Sequence, residues 1–290
     1  MKNYGFSLEL EKAHQSPSDY IYGALSPDCI ADVPEEERIQ YLPVGEVQIG
    51  AEDMMDCATR GPINIAETKF NWLYRNNKLS PSNKQWLESK GYVVEGSVRF
   101  SDAFIAIKSG TTRQGNSMIA PLHAIHTFGL IPKDSLPLKE WMTFDDYHNP
   151  KRVTEYMDAI GEEFKCRFPM FYERVLRPHF AEVYKDDMLI LAGHAWSTPV
   201  DGEYPRTTAP LNHIFMGIKK PLHTIFDNYV DPTDGDFIKK LAQNYELYDE
   251  GYRLFITQVE PKPAIMPLPR FSFLARLWQF IQMFLNPKTT

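Results

Sequence analysis

The chain has 290 residues, of which 43% are hydrophobic, 13% aromatic and 24% charged, with a formal net charge of −7. That apolar content offsets chain entropy and excludes a disordered chain. The acidic balance argues against nucleic acid as a partner, because a phosphate-tracking surface needs clustered Lys and Arg. Three cysteines, Cys29, Cys57 and Cys166, are too few for a disulfide scaffold, and without a Cys-x-x-Cys pair a zinc ribbon or thioredoxin-like motif is excluded. The length fits one large domain or two lobes that share a core.

In chain order, the N-terminal stretch MKNYGFSLELEKAHQ has no apolar run and does not read as a signal peptide. The alternation of Tyr4, Phe6, Leu8 and Leu10 reads instead as a half-buried strand. Residues 26–48, rich in Pro, Asp and Glu, read as an extended connection. Over 57–78, Ile63, Ala66, Phe70 and Leu73 fall on one helical face, with Gly61-Pro62 near the start, where a missing N–H is tolerated. Ser80-Pro81 opens a second helix that stops at Gly91. Ser101 caps a third over 102–107, and Asn116 or Ser117 opens a fourth that Gly129 ends. Thr143 precedes a helical turn at 144–147, and 151–176 reads as helix with a break near Pro169.

The pattern then changes. Residues 188–195, 212–218 and 222–229 read as strands, 236–246 as a short helix and 251–259 as a last strand. Helices first and strands later predict an α+β fold. Residues 260–269 form a Pro-rich linker. Beyond it, 271–285 is apolar except for Ser272, Arg276, Gln279 and Gln282, which repeat at helical spacing. This amphipathic tail is too short to span a bilayer. It reads as a helix that docks on the body, or that meets a membrane surface or protein partner through 270–286. With neither a signal peptide nor a transmembrane span, a cytoplasmic location is expected, or a virion or host-cell interior if the source is viral.

Cys57 stands at the start of the long helix, where the positive end of the dipole lowers a thiol pKa; a buried cysteine acting as a small hydrophobe is the plain alternative. His213 opens an apolar strand. Asp227 and Asn228 end the next strand, and an antiparallel hairpin brings one of them beside His213. The order Cys, His, Asp or Asn has the logic of an activated nucleophile: His takes the thiol proton, and the third residue fixes its tautomer.

Several segments together resemble the papain family of cysteine proteases, in a divergent form of the kind found in microbial and phage genomes. DCATRGPINIAET resembles the family's nucleophile helix, and RFSDAF and GNSMIAPLHAIHTFGLIPKDSLP resemble the segments that follow it. LNHIFMGI resembles the histidine strand and TIFDNY the Asn-Ser-Trp strand. The resemblance covers roughly 40–259. His213 follows Cys57 at slightly more than the ~130–150 residues of papain-type chains, which an insertion over 198–210 explains. The family's Cys-Gly-Ser-Cys-Trp is replaced by Met-Met-Asp-Cys-Ala.

The resemblance implies a papain-like two-lobe fold. Residues 1–45 would be a strand and extended segment packing on the body, 46–150 a helical lobe, 151–259 a β-rich lobe and 260–290 the linker and tail. It implies a peptidase, with peptide or protein as substrate and no metal or organic cofactor. Cys57 would be the nucleophile, His213 base then acid, and Asp227, preferred to Asn228, the orienting residue. Tyr229 would shield the pair, and Gln48 would serve the oxyanion hole. Otherwise the Cys57 N–H works with another donor. A full inhibitory prodomain is not expected before Cys57. The rival reading is a catalytically weak or inactive domain with a structural or interaction role, virion- or membrane-associated. His194 reads as packed, His123 and His126 as surface or packing residues, and Asp231, Asp234 and Asp236 as a turn rather than a calcium loop.

Overall fold

The computed structural model describes residues 5–16, 19, 21–24, 30–31, 33–207, 210–219, 224–230 and 235–260. In chain order it contains α1 (Leu8–His14), α2 (Cys57–Arg75), α3 (Pro81–Ser89), β1 (Val93–Val94), β2 (Ser97–Val98), α4 (Asp102–Lys108), α5 (Ile119–Phe128), α6 (Phe144–Tyr147) and α7 (Glu155–Arg167). There follow β3 (Met170–Leu176), α8 (Phe180–Asp186), β4 (Leu189–Gly193), β5 (His213–Lys219), β6 (Thr224–Phe226), β7 (Ile238–Lys240) and β8 (Glu250–Ile256). Six strands form one antiparallel sheet in the order β3-β8-β4-β5-β6-β7. The fold is α+β, helices first. Met1–Val259 forms one unit. The expected tail helix at 271–285 lies outside the described residues. Among the described residues no helix is long and apolar enough to cross a membrane.

Local chemistry sets the helix boundaries. Ser80, Ser101 and Thr154 each accept an N–H of the helix they open, and Thr143 and Asp146 form a reciprocal capping box. Gly129 ends α5 at φ 70°, where other residues are strained.

The sheet divides its side chains by the two-residue strand period. Ile190, Ala192, Ile214 and Met216 join the core that holds α2. Leu189, Leu191 and Phe215 face the other way, onto Phe180 and Val183. Gly61 permits the contact of α2 with β5, since a Cβ there would lie 2.9 Å from Ile214 Cγ2.

Four expectations are corrected. The strand expected from Tyr4, Phe6, Leu8 and Leu10 is a helix from Leu8, because the Ser7 hydroxyl accepts the Leu10 N–H; Phe6 keeps a β-bridge to Asn116, and Tyr4 lies outside the described residues. Glu11, not Leu10, reaches the interior, accepting from Met118 N (2.6 Å) and the Tyr252 hydroxyl (2.8 Å). Pro62 sits inside α2 rather than in its first turn, so the Ala58 carbonyl loses its helical donor. The helix expected over 151–176 stops at Arg167, and β3 then pairs with β8 from Met170↔Ile256 to Leu176↔Glu250. Within 236–246, Ile238–Lys240 is a strand paired with β6; long-range pairing overrides local propensity there.

Glu67, on α2, is buried and accepts the Phe100 N–H at 2.7 Å. Burial, helped by Asp102, pushes its carboxyl up to about 8 from 4.5. The folded state therefore holds this proton more tightly than the unfolded chain. The stability it brings is full below about pH 4.5, declines as pH rises and is gone above about pH 8. Glu67→Gln is expected to show a smaller fall in Tm between pH 5 and pH 9 than the unaltered chain, measured by thermal melts in matched buffers.

Candidate active site

Cys57 is the first residue of α2 and is 1% exposed. The turn that delivers it is tight: Met55 takes φ 54°, and its N–H donates to Asp53 Oδ1 at 2.9 Å. Asp56, before the thiol, is wholly buried. It binds Arg60 Nε at 3.0 Å and accepts from the Tyr147 hydroxyl at 2.7 Å.

His213 opens β5, and Asp227 follows β6 on the neighbouring strand. Their side chains meet, with His213 Nε2 2.6 Å from Asp227 Oδ1 and both residues buried. The same Oδ1 accepts the Asn228 N–H at 2.7 Å. Asp227 Oδ2 accepts Trp196 Nε1 at 2.6 Å and lies 3.2 Å from Lys239 Nζ. Burial alone would raise the Asp227 carboxyl; His213 and then Lys239 outweigh it and hold the group below the usual carboxylate range.

The Ile214 backbone N–H, next in the chain after His213, favours the charged form of the Cys57 thiol, and α2 packs on β5 where Gly61 meets Ile214. The strand that carries the imidazole thus packs against the helix that carries the thiol. The pKa of that thiol departs from expectation. Burial pushes Cys57 well up, the Ile214 N–H opposes this, and the carboxylates of Asp56, Asp53 and Asp227 raise it further. Desolvation outweighs the helix N-terminus, and in this closed arrangement the sulfur carries its proton.

Gln48 is buried, and its Nε2 donates to the Tyr229 hydroxyl (2.6 Å) and Asp53 Oδ1 (3.0 Å). Both amide hydrogens are committed there, and Oε1 has no hydrogen-bond partner among the described residues. Asn228 turns away from His213, donating to the Glu46 carbonyl and accepting from Asn64. The Tyr229 ring lies 5.1 Å from that of His213. Trp196 stands edge-on to His213 at 5.5 Å and 84°, and it is Trp196 that also binds the carboxylate. His194 is buried near Tyr245, His126 Nδ1 contacts the Met170 carbonyl, and half-exposed His123 faces Asp19. Asp236 accepts the Ile238 N–H within a turn, while Asp231 and Asp234 lie outside the described residues.

A strap covers the thiol. A Cβ on Gly5 would lie 3.0 Å from Cys57 Sγ and 2.6 Å from the Met55 carbonyl oxygen. The strap is tied on both sides. The Phe6 N–H donates to the Asn212 carbonyl (3.2 Å), beside His213. Ser7 N–H donates to the Asn116 carbonyl and Asn116 N–H to the Gly5 carbonyl, each at 2.9 Å.

Sequence reasoning misses Trp196, Lys239, Asp53 and this strap. Trp196 stands in GHAW beyond the end of β4, and Lys239 sits in a segment read as helix, so neither has a local signal that aims it at Asp227. Both line a cavity of about 260 Å³ beside the pair.

No family model matches the chain, and no curated protein sequence matches it. Among solved structures, it is similar to xylellain, a cysteine protease from Xylella fastidiosa, at 14% identity and TM-score 0.46, covering 83% of this chain and 96% of that one. It is also similar to the bromelain protease from Ananas comosus, at 12% identity and TM-score 0.46, covering 79% and 99%. A third, the ragweed pollen allergen Amb a 11 in its proform, has 13% identity and TM-score 0.49, covering 90% and 77%.

Proposed function

We propose that the chain is a papain-like thiol hydrolase of peptide or related amide bonds, with Cys57 as nucleophile, His213 as its base and acid, and Asp227 as the orienting residue. The observation that carries this reading is the 2.6 Å contact of His213 Nε2 with Asp227, on the strand that packs against the helix headed by Cys57. Asp227 fixes Nε2, which assigns proton exchange with Cys57 to Nδ1. On opening, Nδ1 takes the thiol proton and sulfur adds to the carbonyl carbon. The imidazolium then protonates the leaving amine, and water releases the acyl group by the reverse proton path. The Cys57 N–H at the start of α2 is the first oxyanion donor. Gln48 joins it only by letting go of Tyr229 or Asp53.

A second reading rests on a specific observation. The thiol is covered, and three carboxylates raise its pKa, which suits a domain that holds a partner and cleaves nothing.

The test is alkylation at acidic pH in a chain whose strap is loosened by Gly5→Val. Iodoacetamide is expected to modify Cys57 ahead of Cys29 and Cys166, and His213→Ala to remove that preference. Equal, slow labelling of all three cysteines would reject the hydrolase in favour of the non-catalytic domain.

A further inference from the structure

Asp227 is a charged group where an amide would serve. A buried anion 2.6 Å from an imidazole stabilises the imidazolium strongly, and an imidazolium held too firmly cannot act as a base. The structure supplies a counterweight. Lys239, on β7, is 2% exposed, and its ammonium lies 3.2 Å from Asp227 Oδ2, on the side away from His213. It also donates to the Tyr229 carbonyl and lies 5.5 Å from the centre of the Trp196 ring, so it is held from three directions. Hydrogen bonding alone does not require a cation here, since a neutral amide could donate to the same oxygens without the desolvation cost of a buried ammonium.

We propose that Lys239 is a positioning residue. Its charge cancels that of Asp227, so the aspartate presents to His213 the acceptor of an amide and not the field of an anion. Among the described residues, the other titratable groups near the ring and its carboxylate are Cys57 from α2, Tyr229, which carries Asp53 on its hydroxyl, and Tyr245 beside Trp196; Asp56 lies beyond Cys57. None of them touches Oδ2 of Asp227. The proposal rests on the reading of Cys57, His213 and Asp227 as one unit, but it is tested on His213 alone.

The experiment follows the His213 ring signals of carbon-13-labelled histidine against pH by NMR, with His213→Gln to assign them. The full chain is compared with Lys239→Met, Lys239→Gln, Asp227→Asn and the double variant Asp227→Asn/Lys239→Met. Both Lys239 variants are expected to move the ring's midpoint up by about one pH unit or more, and Asp227→Asn to move it down. The double variant should return to within roughly 0.3 units of the unaltered chain. Lys239→Gln keeps a hydrogen-bond donor, so it stands in if Lys239→Met does not fold. A lysine that only braces the fold would lower the Tm of Lys239→Gln and leave the midpoint in place. An unmoved or silent ring in the Lys239 variants, or a double variant that stays with Asp227→Asn, would overturn the proposal. Failure of Cys57 to alkylate would count against the hydrolase and leave this result standing.

Discussion

Gly5→Val should raise the rate of Cys57 alkylation by about a hundredfold. The valine Cβ would meet the Met55 carbonyl oxygen at 2.6 Å and Cys57 Sγ at 3.0 Å, at a φ of +106° that side chains rarely adopt. The strap cannot keep its place with that residue. Its hold on the body includes the backbone bonds of Phe6 with Asn212 and of Gly5 and Ser7 with Asn116, beside the buried Phe6 ring. At about 1 kcal/mol net for each, losing them is worth roughly 3 kcal/mol, or about a hundredfold in the exposed population. Displacement also wets the sulfur, removing the burial that raises its pKa, and the rate gains from both effects. Labelling with iodoacetamide, read by mass spectrometry of the Cys57 peptide, measures it. A rate within threefold of the unaltered chain would mean that the thiol is sealed by something other than the strap.

Arg60→Leu is expected to cost about 3–5 kcal/mol of stability and to lower Tm by roughly 10 °C, measured by urea and thermal unfolding. The guanidinium is 1% exposed and sits between Asp56 Oδ1 at 3.0 Å and Asp102 Oδ2 at 3.6 Å. Asp102 also has Lys133 at 2.7 Å and keeps a cation in the variant. Among the described residues, the Asp56 carboxylate has only Arg60 and the Tyr147 hydroxyl, so, wholly buried, it would lose its counter-charge. Burial and Asp102 already raise that carboxyl, with Arg60 working against them. Adding Asp56→Asn should therefore recover part of the loss, because a neutral amide no longer needs the cation. Lack of recovery would assign the cost to lost packing of the arginine stem.

Much of the fold was legible where the signal is local. Ser80, Ser101 and Thr143 mark their helices because a hydroxyl before a helix has one strong local use. The apolar runs at β4 and β5 have one economical burial. The contact of His213 with Asp227 follows from two adjacent strands and a short connection. What was illegible depends on distant partners. Nothing near Met170 announces β8, and nothing near Lys239 announces Asp227. The N-terminal alternation is real, but Ser7 and the buried Glu11 turn it into a helix, which leaves Gly5 to lie over Cys57. The burial that raises the thiol pKa was invisible for the same reason, since position on α2 reports the dipole and not the cover above it.

The contact of Gly61 with Ile214 has a mechanical consequence. Because α2 rests on β5 through a shared apolar interior, the separation of Cys57 from His213 belongs to the folded body as a whole. Exposure of the Cys57 sulfur then calls for peeling away the ribbon that holds Gly5 over it. A ligand that pulls the ribbon away would meet Cys57 and the strand of His213 held by that shared interior.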